Sequence, residues 1–304
     1  MNQAPQINNN SVSQHKAIIT AASGKYFPSL INLLGSIKQN YPDHPKIFVY
    51  DLGMPAIFVS ELKSLKDVEV IAMPIFCKFW RSCYTWKTYI FSHPLADLNF
   101  YLDAGCQVLR PLDRIFDTLE KEDFFAIGQG VLLEKIVPKE YKAIFEISNE
   151  FDDCEVIHAG EFGFKNKGKI SNILNQTFDC ALSGLALGFS PKDIWRNKGY
   201  NKSQFVRNCE IFRHDLTLLN ILIRKHFGRN VKIHSVEQFA GGRNAHQEQF
   251  IWHLRMDFKN LSYVNLRFLH TDFSCVILLN RLVISLMILI KNFKTFFREF
   301  KIGL

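Results

Sequence analysis

The sequence lacks any Cys-x-x-Cys pair, although it contains seven cysteines scattered between positions 77 and 275. A disulfide framework or a zinc knuckle needs cysteines paired at characteristic spacings, so we expect neither. Scattered thiols in odd number are typical of a protein that works in a reducing compartment.

An apolar leader is missing from residues 1–15, which are polar and rich in asparagine. We expect these residues to form a disordered lead-in and not a signal peptide or a membrane anchor. A Gly-rich phosphate loop after the first apolar run is absent as well. Its absence makes nucleotidyltransferase chemistry the least favoured of the enzyme classes considered.

Acidic residues are fewer than basic ones, because 29 Asp and Glu face 37 Lys and Arg and leave a net charge of +8. This balance favours anionic partners such as acidic lipid head groups or phosphorylated small molecules. Nucleic acid is the weaker candidate, since no basic stripe interleaved with aromatic residues appears. An ordinary basic soluble protein is the alternative interpretation.

Strand and helix patterns alternate in the first half of the chain. Short apolar runs predict four strands, and apolar residues at helical spacing predict three helices between them. The predicted strands are 17–23, 46–53, 68–74 and 98–105, and the predicted helices are 26–42, 56–65 and 82–95. This alternation predicts an α/β protein with a mostly parallel sheet flanked by helices.

The second half is less regular, with glycines inside one predicted strand. The segments are a strand at 156–166, helices at 170–182 and 209–227, and a late strand at 231–236. We find no internal repeat and no linker, so residues 16–270 are assigned to a single catalytic domain.

Small or polar residues follow the predicted strands where a core does not require them. They are Ala21, Ala22 and Ser23 after the first strand, Asp51 after the second, and Asp103 to Gly105 after the fourth. Because ligands in such sheets bind outside the carboxyl ends of the strands, we predict a ligand-binding edge there.

The order of these pieces resembles the GT-A class of nucleotide-sugar glycosyltransferases, especially glycosyltransferase family 8 and its uncharacterised relatives. The resemblance covers roughly residues 16 to 255 and rests on Asp103, the stretch 157–166 and the segment 213–220. It implies a GT-A fold and transfer of a sugar from a nucleotide-diphosphate donor, with UDP-sugars expected first. A glycan or lipid-linked acceptor in surface polysaccharide synthesis is implied as well.

Members of this class carry an Asp-x-Asp motif that holds a divalent metal against the donor diphosphate. Here Asp103 matches the first Asp, and Gly105 stands in place of the second. The resemblance implies that Asp103 binds Mn²⁺ or Mg²⁺, with a late histidine, His246 or His253, as a further ligand. The alternative is that Asp103 ends a turn in which Gly105 adopts a positive φ. His270 is a more distant histidine candidate.

The resemblance also assigns the remaining donor contacts. Lys87 matches a helix cation near the donor phosphates, although a solvated helix face is an equally good interpretation. The other implied donor-binding residues are Ala21, Ala22 and Ser23 around the nucleoside, Tyr26 stacked on the base, and Asp51 on the ribose or uracil.

The stretch 157–166 resembles the Asn-x-Gly strand on the acceptor side of family 8 sites. His158, Ala159 and Gly160 occupy the matching positions. Gly163 allows the strand to bend or pack closely, and a bulged strand explains the glycines without any acceptor.

The segment 213–220 resembles the family motif Asp-Gln-Asp-x-Leu-Asn at a helix start. Asp215, Leu219 and Asn220 match its first, fifth and sixth places, and Thr217 replaces its second Asp. The resemblance implies that Asp215, beside His214, faces the acceptor and acts with Asp103 and Lys87 as a catalytic residue. A helix cap is the alternative role of Asp215.

Residues 271–304 form a hydrophobic and basic tail. Its apolar part, 276–290, is interrupted by Asn280 and Arg281 and is shorter than the about 20 residues of a membrane-spanning helix. Farther on, cations alternate with Phe, which predicts a helix lying on the cytoplasmic face of an anionic membrane. A helix packed on the domain or in a dimer interface is the alternative.

A second function comes from a different class. The missing second Asp at Gly105 favours a catalytically inactive relative that binds nucleotide or glycan and acts as a membrane-associated partner.

Overall fold

The computed structural model describes residues 15–188, 209–241 and 249–253. The strands in these ranges are β1 (Lys16–Ala22), β2 (Ile47–Asp51), β3 (Val68–Ala72), β4 (Leu98–Leu102), β5 (Cys106–Val108), β6 (Phe124–Leu132), β7 (Glu155–Lys165), β8 (Ala240–Gly241) and β9 (Ile251–His253). The helices are α1 (Phe27–Asn40), α2 (Ala56–Lys63), α3 (Thr85–Ser92), α4 (Asp113–Lys121), α5 (Lys139–Phe145), α6 (Lys169–Leu182), α7 (Asp215–Phe227) and α8 (Val236–Phe239).

A six-stranded sheet has the order β3-β2-β1-β4-β7-β6, and a smaller sheet has the order β5-β9-β8. Strands β1 and β4 pair in parallel, from Lys16 opposite Leu98 to Ile19 opposite Tyr101. Strands β6 and β7 at one edge are antiparallel. The predicted α/β architecture, a mostly parallel sheet flanked by helices, is therefore confirmed.

The two central strands are parallel because their sequences are apolar on both faces. Every residue of β4 is buried, as is every residue of β1 after Lys16. Strands buried on both sides are typical of parallel sheets, whose crossover helices cover both faces. This is why near-continuous apolar runs predicted these strands with useful accuracy.

Internal contacts divide the chain into two units. The first comprises residues 1–19, 72–101 and 113–236, and the second comprises residues 20–71, 102–112 and 237–304. In the first unit the Phe91 ring packs edge-on against Tyr101, with ring centroids 5.3 Å apart.

In the second unit α1 lies against β5. The Ser36 hydroxyl accepts the Val108 N–H at 2.9 Å, and the Asn40 amide donates to the Val108 carbonyl at 2.8 Å. Side chains on one face of α1 therefore hold the backbone of this short strand.

Gly163 in β7 allows close packing inside the first unit. A Cβ at this position would lie 2.8 Å from Leu119 Cδ1 of α4 and 3.0 Å from Phe125 Cβ of β6. Both distances are too short for a side chain, so the interpretation that this glycine lets the strand pack closely is confirmed.

Two elements predicted in the second half of the chain differ from the structure. The helix predicted over 209–227 begins only at Asp215, because His214 has φ 56° and ψ −117° and interrupts any helix there. The late strand predicted over 231–236 is wrong, since His234 makes only an isolated bridge to Ile127.

Several sequence predictions fall beyond the described residues. They concern residues 1–14 of the lead-in, the tail 271–304, His246 and His270. The boundaries of the catalytic domain stay a prediction. Within the described ranges, no helix combines the length and the apolar character needed to cross a bilayer.

Candidate functional site

In the second unit Asp103 directly follows β4. In the parallel pairing of β1 with β4, Lys16 lies opposite Leu98 and Ile19 opposite Tyr101, an offset of 82 positions. The same offset places Asp103 opposite Ala21. Ala21 and Ala22 are buried and end β1 with the smallest side chains that a chiral residue offers. A carboxylate therefore lies at a sheet edge where a ligand is able to approach the backbone.

The turn after Asp103 is closed by its own backbone. The Cys106 N–H donates to the Asp103 carbonyl at 2.9 Å. The described glycines with positive φ are at 53, 130, 168, 184, 188 and 228, so Gly105 is not among them. The positive φ that the alternative interpretation expected of Gly105 is therefore wrong, whereas the turn at Asp103 is present. A negative φ is open to residues other than glycine, so the φ of Gly105 does not explain the missing second carboxylate.

His253 lies beside this turn through the pairing of β5 with β9. Cys106 is opposite His253 in the antiparallel register, and Cys106 Sγ lies 3.7 Å from His253 Nδ1. The backbone of Cys106 is in turn bonded to Asp103. Cys106 was not predicted as a site residue, although it directly follows the Asp-Ala-Gly sequence at the strand end.

Asp51 shapes the loop after β2. Its Oδ1 accepts the N–H groups of Gly53 at 2.8 Å and Met54 at 2.6 Å, which is the hydrogen bonding of an Asx turn. Gly53 has φ 101°, a conformation that favours glycine. The contact of Asp51 with ribose or uracil stays a prediction. The second carboxylate oxygen of Asp51, Oδ2, would make this contact, because the turn uses Oδ1.

Ser23 and Tyr26 occupy the short segment between β1 and α1. Ser23 is half-buried, and its carbonyl accepts the Tyr26 N–H at 2.9 Å. The Tyr26 ring is 48% exposed, and Lys25 Nζ lies 5.5 Å from its centroid. An exposed ring at the carboxyl edge is suited to stacking on a planar ligand.

In the first unit Lys87 is buried, with 4% of its surface exposed. Its ammonium lies 5.5 Å from the Tyr84 ring, 5.6 Å from the Trp86 ring and 5.0 Å from the Tyr101 ring. It also donates to the Ala159 carbonyl at 3.3 Å. The interpretation of Lys87 as part of a solvated helix face is therefore wrong. The amine is therefore enclosed by three aromatic rings.

Strand β7 carries a carboxylate–imidazole contact that the sequence analysis missed. Glu161 is fully buried, and its carboxylate lies against Nδ1 of His158. A carboxylate inside a strand buried on both faces is the signal that would have identified it. Burial of a charge is costly unless it is paired, which explains why the two side chains meet.

Asp215 is the first residue of α7 and is 4% exposed. Burial, reinforced by the charge of Asp215, raises the pKa of the Cys83 thiol to about 11. This thiol is therefore protonated at neutral pH and is a poor nucleophile.

Thr217 links the start of α7 to its surroundings. Its hydroxyl accepts the Arg213 N–H at 3.1 Å and donates to the Ile136 carbonyl at 3.2 Å. Asp215 lies in the first turn of α7, where the helix dipole stabilises a carboxylate, so the helix-terminus alternative for Asp215 stays open beside the acceptor role. The residue that replaces the second Asp of the family motif has a structural role here.

Asn220 fixes β7 against α7. Its side-chain oxygen accepts the Ile157 N–H at 2.7 Å, and its amide donates to the Ile157 carbonyl at 3.0 Å. The residue is fully buried. Its direct contact with an acceptor stays a prediction, whereas its support of the strand that carries His158 is evident.

Strained backbone is concentrated in this part of the first unit. Cys83, Tyr84 and His214 have φ of 52°, 58° and 56°, and the other described non-glycine residue with positive φ is Glu146. Such conformations cost on the order of 1–3 kcal/mol each and persist only where surrounding contacts hold them. One such contact joins His214 Nδ1 to the Ala186 carbonyl at 2.9 Å.

Comparison with known proteins supports the fold. No protein-family model matches the chain, and no curated protein matches it in sequence. Among solved structures, the apo form of the bifunctional glycosyltransferase WbbM is 13% identical with a TM-score of 0.50. The match covers 84% of this chain and 47% of WbbM, so the chain spans about half of that protein. The fold is of the GT-A type.

The galactosyltransferase LgtC is a second neighbour. Its complex with donor and acceptor sugar analogues is 15% identical with a TM-score of 0.48, and the match covers 84% of this chain and 80% of LgtC. An active-site mutant of LgtC is 14% identical with a TM-score of 0.49, covering 85% of this chain and 91% of that one. At identities this low, structural similarity shows the fold alone. Membership of family 8 and the roles of the site residues therefore stay predictions.

The buried imidazole of His214 makes stability depend on pH. Burial lowers the pKa of His214 below its ordinary value of about 6.5. The unfolded chain therefore takes up a proton more readily, and the stability present above pH 6.5 is lost as the pH falls. We expect urea unfolding to show a lower free energy at pH 5.5 than at pH 7.5, and His214→Gln to reduce this difference. An equal difference in both proteins would contradict the assignment.

Proposed function

We propose that the chain is a glycosyltransferase that moves a sugar from a nucleotide-diphosphate donor to a glycan or lipid-linked acceptor. The observation that carries the proposal is the position of Asp103 at the carboxyl end of β4, level with Ala21, in a GT-A-type fold. Ligands of such sheets bind at this edge. The likeness to WbbM, a bifunctional glycosyltransferase, supports the same reaction class. UDP-sugars are the first donors to test, and surface polysaccharide synthesis is the proposed pathway.

The second unit supplies the donor contacts in this proposal. Ala21 and Ala22 allow the nucleoside to approach the backbone, and the exposed Tyr26 ring stacks on the base. Ser23 and Asp51 provide the hydroxyl and carboxylate oxygens that receive the ribose or the uracil.

We propose that a divalent metal binds in the same unit. Asp103 offers carboxylate oxygens, and His253 offers an imidazole nitrogen beside the strand that begins after the Asp103 turn. Carboxylate oxygens are suitable ligands for Mn²⁺ and Mg²⁺, and an imidazole ligand makes the site suitable for other transition metals as well. A bound cation would neutralise charge on the leaving nucleoside diphosphate. Asp103 and His253 would hold it.

Lys87 is proposed to bind the donor phosphates. Its ammonium lies over Tyr101, which precedes Asp103 by two residues in the chain. A buried ammonium interacts with phosphate more strongly than an exposed one, because water and salt screen it less. Its aromatic surroundings and the bond to the Ala159 carbonyl keep the amine in one place before the donor arrives.

The first unit supplies the acceptor contacts. In this proposal Asp215 accepts a hydrogen bond from a hydroxyl group of the acceptor. His158, Gly160 and His214 lie on the elements around Asp215. Asn220 positions β7 by bonding both backbone groups of Ile157.

Donor hydrolysis tests the proposal. We expect purified protein with Mn²⁺ or Mg²⁺ to hydrolyse at least one nucleotide-sugar of a panel, and EDTA to stop the reaction. Asp103→Asn should lower the rate about a hundredfold or more, because it removes the charge that the donor site requires. Asp117→Asn on α4 is the matched control, since Asp117 is exposed and lies outside the proposed site. Equal rates for the two variants would contradict the role of Asp103.

A catalytically inactive nucleotide- or glycan-binding protein is the second candidate. Gly105 favours it, because the structure gives no backbone reason for a glycine at this place. Binding of nucleotide-sugars without turnover of any donor, with every acceptor tried, would support this function over the first.

Gly105→Asp is a gain-of-function test of the metal site. Its backbone permits a chiral residue, and the added carboxylate recreates a two-acid motif with Asp103. We expect Mn²⁺ affinity, measured by calorimetry without donor, to rise about tenfold, which corresponds to about 1.4 kcal/mol. Gly105→Asn, which adds a side chain of similar size without charge, is the control. Unchanged Mn²⁺ affinity in Gly105→Asp would argue against a metal at Asp103.

Peripheral membrane contact through residues 275–304 is a proposal from sequence alone. Removal of these residues should abolish sedimentation of the protein with vesicles that contain anionic lipid. Replacement of Lys291, Lys294, Arg298 and Lys301 by Gln should have the same effect if charge drives binding, and added salt should weaken the wild type. Unchanged sedimentation of the truncated protein would contradict the proposal and the cytoplasmic membrane-face location that depends on it.

A further inference from the structure

Tyr84 presents an aromatic ring at the surface of the first unit. Its side chain is 52% exposed, and within the described residues Tyr26 is the other exposed aromatic residue. Tyr26 belongs to the proposed donor site in the second unit, whereas the function proposed above uses Tyr84 only as one of the rings around Lys87. Its ring contributes less to a core than a buried aromatic would, so core packing does not explain its placement.

The backbone holds Tyr84 in an unfavourable conformation. Cys83 and Tyr84 are consecutive and both left-handed, with φ of 52° and 58°. Left-handed backbone is uncommon for residues other than Gly, Asn and Asp, and it is notable for a bulky aromatic residue. Helix α3 therefore starts at Thr85, after these two residues, and not at residue 82 as the sequence predicted. Strain of this kind is found where a side chain is directed to a functional place.

The surroundings of the Tyr84 ring combine apolar and polar groups. The Trp86 and His214 rings each have their centroids 6.3 Å from that of Tyr84, and Lys87 Nζ lies 5.5 Å from it. His214 immediately precedes Asp215, whose charge also acts on the Cys83 thiol next to Tyr84. The exposed Tyr84 ring is thus bordered by the imidazole of His214 and lies against the buried ammonium of Lys87.

A pyranose ring matches this combination of groups. Its axial C–H bonds form a weakly positive face that packs on the negative face of an aromatic ring. Its hydroxyl groups need hydrogen-bond acceptors and donors at the rim, which the imidazole of His214 supplies beside the ring. An anionic ligand would be repelled by the negative tyrosine face, the neighbouring Lys87 already occupies the place of a cation, and a purely apolar ligand would leave His214 without a hydrogen-bonding role.

We infer that Tyr84 is the stacking platform for the pyranose ring of the acceptor, with Asp215 and His214 receiving its hydroxyl groups. The inference rests on the proposed glycosyltransferase function and deepens it, because it identifies the acceptor terminus as a neutral pyranoside. The strained backbone keeps the ring directed outward, so little conformational freedom is lost when the sugar binds.

Saturation-transfer NMR with methyl β-D-galactopyranoside and methyl β-D-glucopyranoside, in the presence of UDP and Mn²⁺, tests the inference. We expect at least one glycoside to receive saturation at its axial C–H protons from the wild-type protein. Tyr84→Asn removes the ring but suits the left-handed backbone, so the fold should be kept. Its affinity for the glycoside should fall about fivefold, as the loss of one aromatic contact predicts. Tyr84→Phe should bind as the wild type does.

Tyr26→Ala is the contrasting variant, which should keep glycoside binding and weaken UDP binding. The inference would be overturned if Tyr84→Asn bound the glycoside with the affinity of the wild type. It would also be overturned if neither glycoside received saturation from the wild-type protein. Donor hydrolysis without acceptor is measured on the same samples. Hydrolysis by the wild type would show that the proposed function stands whichever way the glycoside result falls, and its absence in the wild type would count against the proposed function itself.

Discussion

The parallel pairing of β1 with β4 is the constraint on which the candidate site depends. Its register brings Asp103 to the end of β1, where Ala21 and Ala22 leave the backbone open to a ligand. Both strands are buried along their length, so a slip of one residue would expose apolar side chains and is strongly disfavoured. Burial of the central strands therefore fixes the place of the carboxylate, and the short turn to Cys106 carries the chain on to the strand that pairs with β9.

The two units carry groups of different chemical kinds. The second unit has small residues and the carboxylate of Asp103, which we assign to the donor. The first unit has buried polar groups, namely Lys87 among aromatic rings and Glu161 against His158. It also has strained backbone, at Tyr84 among other residues. Burying charges and straining backbone both oppose folding, so their presence in one region calls for a reason outside stability. Sugar transfer gives such a reason, because it needs fixed charges near phosphate and an oriented acceptor.

The fold could be predicted from the sequence at those elements whose apolar pattern matches the residues that are buried in the folded chain. The apolar runs of β1 and β4 and the helical spacing in α1 are examples, and the positions after the strands identified Asp103. Strand β9 was missed because three residues are too few for a periodic signal and its partner β5 lies far away in the chain. Helix α4 was also missed, although Ile115, Phe116 and Leu119 are buried at helical spacing. The burial of Lys87 was not predictable, since it depends on rings brought together by packing.

Binding of UDP measured by isothermal titration calorimetry in the presence of Mn²⁺ tests the central claim most directly. The account predicts binding by the wild-type protein, a loss of affinity of about tenfold or more in Asp103→Asn, and a similar loss when EDTA replaces the metal. Absence of UDP binding, or equal affinity in the wild type and in Asp103→Asn, would contradict the claim that Asp103 at the end of β4 receives a nucleotide-diphosphate donor.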